Sequence, residues 1–269
     1  DYLYYYLKFF NYKTIGNTSS IANAVNSNII KNLNITYPNI KNQKFISSFL
    51  SLVDKKIENN MEIIFLLNEL INVKFKKIYF NNSSKTFPIG KVITRKKNRV
   101  KNEKLIILTA TKESKIVKSE DYFHKQVFSK NISNYVKIDK NDFAFNPSRI
   151  NIGSIGMNKF NFTGAVSPAY IVFGVKKPFE WYFEKYLNLN KTKKIIKSLC
   201  IGSVRQSLDF DDFKNILINI PNESIVEEFN VYNSLIENKI HKLNTEIELL
   251  KKILNNLGPN LIKGKFIKN

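Results

Sequence analysis

Two long stretches of the chain repeat apolar residues at a spacing of seven. The first stretch carries Leu50, Ile57, Ile64, Ile71 and Ile78 in one series and Ile46, Val53, Asn60 and Leu67 in another. The second carries Phe229, Ile236, Leu243, Leu250 and Leu257 in one series and Ile240, Ile247 and Leu254 in another. Two interleaved series of this kind give an average period of about 3.5 residues, which is typical of a coiled-coil seam. The pattern therefore predicts two long helices.

For one helix alone, ordinary core packing would explain such a stripe, but two matched helices in one chain favour a mutual pair. A globular segment lies between them in the sequence, so an antiparallel pair is easily closed. Pro38 and Pro221 stand where each helix can begin, and Gly258-Pro259 is expected to end the second one. The predicted helix-pair interface consists of Leu50, Val53, Ile57, Ile64, Leu67, Ile71, Phe229, Ile236, Ile240, Leu243, Ile247, Leu250 and Leu254.

The two helices belong to an internal duplication. Residues 29–60 align without gaps on residues 212–243, at an offset of 183 that places Pro38 on Pro221 and Ile57 on Ile240. Each copy has a strand-like run, a proline and a long helix. Upstream, the aromatic run YLYYYL (2–7) is echoed more weakly by WYFEKYL (181–187). The seams are interrupted by Asn60 and Asn233, which we expect to fix the register of the pair.

The segment between the helices has a different pattern. Short β-type runs (KVITR, KLIILTA, YVKI, FAF and AYIVFGV) alternate with turn residues and basic clusters, and a helix is predicted near residues 178–198. The expected fold class is α/β (α+β): a mixed α/β domain flanked by two long α-helices that form an antiparallel coiled coil.

The charge of the chain favours a polyanionic partner. The formal net charge is +21, and the segment 83–220 holds 26 Lys and Arg against 11 Asp and Glu. Nucleic acid and an anionic membrane face are both compatible with this excess, part of which could reflect the Lys-rich and Asn-rich usage of an AT-rich genome. No run reaches about 18 uncharged apolar residues, so a membrane span is not expected.

Several basic and amide side chains are candidates for DNA contact. The cluster TRKKNRVKNEK (94–104) and the cluster TKESKIVK (111–118) suit phosphate contact, although either could be a solvated loop. Arginine and glutamine also suit the edges of guanine and adenine, whereas NPSRINIGSIG (146–156) could be a structural turn. The predicted DNA-binding residues are Arg95, Lys96, Lys97, Arg99, Lys101, Lys112, Lys115, Lys118, Arg149, Asn151, Arg205 and Gln206.

The sequence offers little catalytic chemistry. His124, His241 and the single cysteine, Cys200, are too few and too scattered for a usual zinc site. The carboxylate pairs Asp211-Asp212 and Glu227-Glu228 flank the predicted start of the second helix and suit its N-terminal dipole. Gly153 and Gly156 do not form a phosphate-binding loop, because the Gly-Lys-Ser/Thr ending of such loops is absent. We therefore expect no catalytic residues, no metal site and no cofactor bound by this chain.

The chain resembles the specificity subunit of type I restriction-modification enzymes. The resemblance rests on YLYYYL, IKNLNITYPNIKNQKFISSFLSLVDKKIENN, YVKIDKNDFAFNPSRINIGSIG, GAVSPAYIVF, GSVRQSLDFDDFKNILINIP and the second long helix, which together span nearly the whole chain. It implies two target-recognition domains, each followed by a long helix, with the helices paired as a spacer. Each recognition domain would read one half of a two-part DNA sequence. The family's DNA-contacting residues vary with the target, so the list above rests on charge and chemistry alone.

The resemblance also implies partners and a domain division. The expected partners are double-stranded DNA, methyltransferase (modification) subunits docked on the helices, and a motor-nuclease (restriction) subunit; S-adenosylmethionine, ATP and magnesium would belong to those subunits. Expected domains are the end of a first recognition domain (1–37), the first long helix (38–82), a second recognition domain (83–220), and the second long helix with its tail (221–269). Since only the end of the first recognition domain is present and the chain begins at Asp1, we expect a fragment, in a cytoplasmic protein.

Other classes of function remain open at this point. A recognition domain of a fused restriction-methyltransferase polypeptide would have its catalytic part upstream of Asp1, where a cofactor loop would reveal it. A coiled-coil interaction protein could carry a basic domain that coats acidic surfaces without reading sequence. RNA binding is less favoured because no aromatic RNA-binding motif is present.

Overall fold

The structure is a computed structural model that describes residues 1–12, 27–35, 37–81, 86–123, 129, 131–200 and 206–263. It divides into a helical unit, Asp1–Glu69 with Ile236–Asn269, and a β-rich unit, Leu70–Leu235. The α-helices are α1 (Tyr2–Lys8), α2 (Ser27–Lys31), α3 (Ile40–Asn81), α4 (Ser119–Tyr122), α5 (Glu180–Leu187), α6 (Asn190–Leu199), α7 (Phe210–Phe213) and α8 (Glu223–Ile262). The strands are β1 (Thr86–Pro88), β2 (Ile93–Lys96), β3 (Leu108–Ala110), β4 (Ile116–Lys118), β5 (Val136–Ile138), β6 (Phe143–Phe145), β7 (Ile155–Met157), β8 (Gly164–Val166), β9 (Ile171–Val175) and β10 (Leu217–Asn219).

In the helical unit, the beginning of α3 packs against the end of α8. One apolar cluster joins the two helices with α1; its buried members are Tyr2, Tyr5, Ile46, Leu50, Val53, Ile57, Ile247, Leu254 and Ile262. At the rim of this cluster, Glu246 accepts a 2.8 Å hydrogen bond from the Asn60 amide and lies 3.4 Å from the Lys56 ammonium. Since the beginning of α3 meets the end of α8, and the end of α3 shares the other unit with the beginning of α8, the helices are antiparallel.

The predicted seam residues lie inside. Ten of the thirteen are buried, and the remaining three, Ile64, Leu67 and Leu250, are half-buried. Asn60 and Asn233 are both fully buried at the positions where the apolar series is interrupted. Leu257, the next member of the α8 series, is exposed, whereas Ile262 further along α8 is buried in the same apolar cluster.

The end of α8 differs from the sequence prediction. Gly258-Pro259 was expected to stop the helix, but α8 continues to Ile262 with Pro259 inside its last turns. The hydroxyl of Tyr2 donates a 3.0 Å hydrogen bond to the carbonyl oxygen of Ile262, which gives a partner to one of the carbonyls that a helix end leaves free. Gly258 is required here for space, because a Cβ atom would lie 2.5 Å from the ring of Phe9.

The β-rich unit is built on a four-stranded antiparallel sheet in the order β2-β9-β6-β7. Three two-stranded antiparallel pairs, β1-β10, β3-β4 and β5-β8, surround it. Stacked phenylalanines fill the core behind the sheet: the Phe143 and Phe173 ring centroids are 5.3 Å apart, and Phe183 and Phe213 pack against Phe173. The end of α3 and the beginning of α8 close this unit, with Phe75 between Tyr182 of α5 and Phe229 of α8.

Some local predictions are corrected. The single helix expected near 178–198 is two helices, α5 and α6, interrupted at Asn188-Leu189. Asp211-Asp212 lie in the first turn of the short helix α7, not at the start of α8. At the offset of 183, α2 of the first copy corresponds to α7 of the second, so this part is helical in both copies. The predicted strand is present as β10 in the second copy, whereas residues 34 and 35, which correspond to Leu217 and Ile218, are not in a strand. The mixed α/β fold and the two long helices are confirmed.

Candidate nucleic-acid interface

The antiparallel order of the central sheet brings separate basic segments to one end of it. Lys96, the last residue of β2, pairs with Val172 near the start of β9, and Phe145, the last residue of β6, pairs with Ile155, the first of β7. The segment after β2 (97–101) and the segment that joins β6 to β7 (146–154) therefore leave the sheet at the same end. Both segments contain predicted DNA-binding residues.

The tip of the β3-β4 hairpin packs onto the 146–154 segment. The Ser154 hydroxyl donates a 3.1 Å hydrogen bond to the carbonyl oxygen of Ala110, just before the tip. Gly153 has φ +98°, and a Cβ atom there would lie 2.3 Å from the carbonyl oxygen of Lys112, so only glycine fits this turn and this approach. The exposed Lys112 and Lys115 of the hairpin tip thus join Arg149, also exposed, at the same end of the sheet.

Most of the predicted cations of the first cluster are available to an external partner. Arg95 is exposed on the edge strand β2, with its guanidinium 5.7 Å from the centre of the Phe210 ring. Lys97 and Lys101 are exposed. Arg99 is also exposed. Its guanidinium donates to the carbonyl oxygen of Asn134, and its other N–H groups remain available to an external partner. Lys118, at the end of β4, is half-buried.

Lys96 is different from its neighbours because its charge is already paired. Its ammonium lies 2.8 Å from the carboxylate of Asp142 and 3.4 Å from that of Asp139. Burial raises the pKa of Asp142 above its ordinary value, and Lys96 opposes that shift. A lysine that neutralises a buried carboxylate cannot contact a phosphate without leaving that carboxylate unpaired. We therefore assign Lys96 a structural role.

Two amides of the predicted set meet at the edge of this surface. The Asn151 side chain donates a 2.9 Å hydrogen bond from Nδ2 to Oε1 of Gln206. Asn151 lies in the 3-10 turn Ile150–Ile152, and Gln206 belongs to the segment that leads into α7. Arg205, also predicted to bind DNA, lies outside the described residues, as does His124.

Helix α6 adds basic residues that the sequence analysis did not single out. Its ten residues include four lysines, Lys191, Lys193, Lys194 and Lys197, and all four are exposed. Thr192 and Ile196 are buried on the opposite face, and the helix packs against the 3-10 turn that carries Asn151. The sequence does indicate such a basic helix, because the four lysines occur without acidic residues and the buried Thr192 and Ile196 are four residues apart.

A catalytic or metal centre does not emerge from the described residues. In the ranges given above there is no group of three or more His, Cys, Asp or Glu side chains placed to hold a metal ion. Cys200 is buried, its thiol donates a 3.1 Å hydrogen bond to the carbonyl oxygen of Ile196, and burial raises the pKa of the thiol. Among the same residues, none of the helices has the length and apolarity needed to cross a membrane.

Comparisons with known proteins agree with this architecture. Residues 1–69 match the family described as "Type I restriction modification DNA specificity domain". No curated protein matches the chain in sequence. The structure is similar to the type I restriction-modification system S subunit from M. genitalium, at 18% identity and a TM-score of 0.60, over 97% of this chain and 71% of that one.

A second similar structure is described as showing complex assembly and conformational transition of the type I R-M system. It shares 11% identity with this chain at a TM-score of 0.53, over 98% of this chain and 70% of that one. Identities this low carry the fold and not the activity. The predicted resemblance is confirmed in these terms: residues 1–69 match the type I restriction-modification DNA specificity domain family, and the chain has the fold of the specificity subunits.

Proposed function

We propose that this chain is a sequence-specific DNA-binding specificity subunit that reads one half of a two-part target. The observation that carries the proposal is the convergence of exposed cationic side chains from distant segments on one end of the central sheet. These side chains come from the segment after β2, the β3-β4 hairpin tip and the β6-β7 segment, and α6 packs beside them. A continuous cationic surface attracts the phosphates of a duplex, and amides within it can read base edges.

Double-stranded DNA suits this surface better than an anionic membrane does. A membrane-binding face of a folded protein combines cations with exposed large apolar side chains. The tip of the β3-β4 hairpin and the exposed face of α6 carry lysines, Glu113 and small polar residues, and in the 146–154 segment Ile152 is exposed by 53%. A chain with arginine and amide side chains at such positions can distinguish base pairs in the major groove.

A scaffolding role completes the proposal. On α3 within the helical unit, Phe45, Leu52 and Leu66 recur at multiples of seven residues and are exposed by 66%, 67% and 57%. This stripe lies on the face of α3 away from the buried seam. Exposed apolar rows of this size favour a protein partner. We propose that methyltransferase subunits dock on it and that a motor-nuclease subunit joins the assembly.

The chain would then act without catalysis of its own. S-adenosylmethionine, ATP and magnesium would be bound by the partner subunits. This chain would bring those subunits to the target sequence. The proposal is consistent with the single buried cysteine and with the structural pairing of the Lys96 and Asp142 charges.

Electrophoretic mobility shifts on randomised duplexes at physiological salt test the DNA-reading role. We expect binding with a selectable preference, and we expect the triple substitution of Lys193, Lys194 and Lys197 by Gln to weaken binding to every duplex alike. The control replaces three exposed lysines of α8 in the helical unit, Lys239, Lys251 and Lys252, by Gln, which removes the same charge away from the proposed surface. If the unaltered chain binds all duplexes equally, without any sequence preference, the proposal is refuted.

Co-purification tests the docking role. We expect Leu52→Asp with Leu66→Asp to abolish capture of methyltransferase subunits while the chain keeps its thermal stability, because both side chains are already exposed to solvent. Glu58→Lys on the same helix serves as a control that alters an exposed charge and leaves the apolar stripe intact. Undiminished capture by the double variant would exclude this face as the docking surface.

A further inference from the structure

The hydrogen bond between Asn151 and Gln206 joins two exposed segments that are 55 residues apart in the sequence. Gln206 is exposed and Asn151 is half-buried. Two solvated amides gain little from one mutual hydrogen bond, because water competes for both groups. The pair therefore adds little to stability, and its position beside Arg149 and the hairpin lysines makes it a candidate for contact with a ligand.

Both amides stand on firmly held backbone. Asn151 follows the buried Ile150 and lies two residues before Gly153, whose turn fits closely against Lys112. On the other side, Leu208 is completely buried, and its backbone N–H donates a 3.1 Å hydrogen bond to the carbonyl oxygen of Pro147. The Gln206 side chain thus begins near a point that is tied to the same β6-β7 segment as Asn151. Such support limits the positions that the two amides can adopt.

The direction of the hydrogen bond fixes which way the Gln206 amide faces. Asn151 Nδ2 donates to Gln206 Oε1, so the Oε1 side of the amide is held toward Asn151. Among the described residues, the Gln206 amide bonds to Asn151 through Oε1, which leaves the two hydrogens of Nε2 and a second lone pair of Oε1 for an external partner. The free edge of Gln206 therefore offers one donor and one acceptor side by side.

Adenine presents the complementary pair in the major groove, with N7 as acceptor and the N6 amino group as donor. We propose that Gln206 reads an adenine in the target sequence and that Asn151 is the positioning residue that sets the orientation of the Gln206 amide. The inference rests on the proposed DNA-binding function. Arg149 and Lys112 flank the pair and would hold the phosphates on either side of that base.

The first test replaces the reading group and the atom that it reads. Binding of the full chain is measured by competition between its selected duplex and the same duplex with 7-deazaadenine at each adenine in turn. We expect one adenine at which the loss of N7 weakens binding, by less than the about 5- to 150-fold that a whole bidentate base contact contributes. In Gln206→Ala this sensitivity should disappear while the sensitivity to other positions remains.

The second test reverses the orientation of the amide. In Asn151→Asp, the carboxylate can only accept a hydrogen bond, so it should hold Gln206 Nε2 and turn Oε1 toward the DNA. The acceptor and the donor of the free edge would then have exchanged places relative to N7 and N6 of the adenine, so the chain should lose its preference for adenine at that position. Ser148→Asp, an exposed residue of the same turn, controls for the added negative charge, since it should weaken binding without changing the preferred base.

The outcomes separate this inference from the proposed function. If the unaltered chain shows no sequence preference, the DNA-reading proposal fails and the inference fails with it. If the preference is present but Gln206→Ala and Asn151→Asp leave it unchanged at every position, the inference alone is overturned. A structural role for Asn151 would lower affinity or stability without removing the preference for adenine at that position.

Discussion

At the scale of single residues, the pairing of Lys96 with Asp142 predicts a stability defect. Asp142 is only 4% exposed, so Lys96→Ala would leave a buried carboxylate without its cation. We expect the free energy of unfolding at neutral pH to fall by about 1–3 kcal/mol, the cost of an unsatisfied buried polar group. Urea denaturation measures the loss, and Lys97→Ala, an exposed neighbour, should show none.

The same variant has a pH dependence with a defined sign. Burial already raises the folded-state pKa of Asp142, and removal of Lys96 raises it further. An acid with a raised folded-state pKa binds protons more tightly in the folded state, so stability is regained as the pH falls through that pKa. The deficit of Lys96→Ala relative to the unaltered chain should therefore shrink toward acidic pH. A constant deficit would mean that Asp142 is not its source.

Arg95 and Lys97 should behave as phosphate contacts instead. We expect Arg95→Ala and Lys97→Ala each to weaken binding to all duplexes and to lower the slope of log affinity against log salt by about one unit. Titrations at several salt concentrations measure this slope. If either variant instead changes only which sequence is preferred, the phosphate assignment of that residue is wrong.

The sequence could not separate Lys96 from Lys97, which are adjacent members of one basic cluster. The difference depends on Asp139 and Asp142, more than 40 residues away, and on strand pairing that brings β2 near them. The pairing of Asn151 with Gln206 has the same long-range origin. Residue type and local charge can predict which side chains suit DNA, but tertiary contacts decide which of them remain available.

At the scale of elements, the long helices were predictable because their signal is local and repeated over many turns. The first long helix was predicted within 38–82, and the observed α3 spans Ile40–Asn81. The strands of the β-rich unit have three to five residues, too few for a period of two to fix their bounds, although FAF at 143–145 coincides with β6. Pro259 misled the prediction for α8 because the packing of Ile262 and its bond to Tyr2 favour a longer helix.

The antiparallel seam itself makes a prediction about α8. Ile240→Asp with Ile247→Asp places two charges in the buried face of the helical unit, and we expect it to lower the melting temperature and to abolish co-purification of methyltransferase subunits. Leu249→Asp is the matched control, because Leu249 is 59% exposed on the same helix and should tolerate a charge. Equal melting temperatures for the seam variant and the unaltered chain would refute the seam.

At the scale of the whole molecule, the duplication predicts how much sequence the chain can read. The second copy of the repeated helix follows the β-rich unit, and the cationic surface lies within that single unit. Selection from a randomised duplex should therefore recover one contiguous block of specified base pairs. A mismatch at any position of that block should reduce affinity about 5- to 150-fold. Recovery of two different blocks at a fixed separation would contradict this, because it would require a second reading surface within the 269 residues.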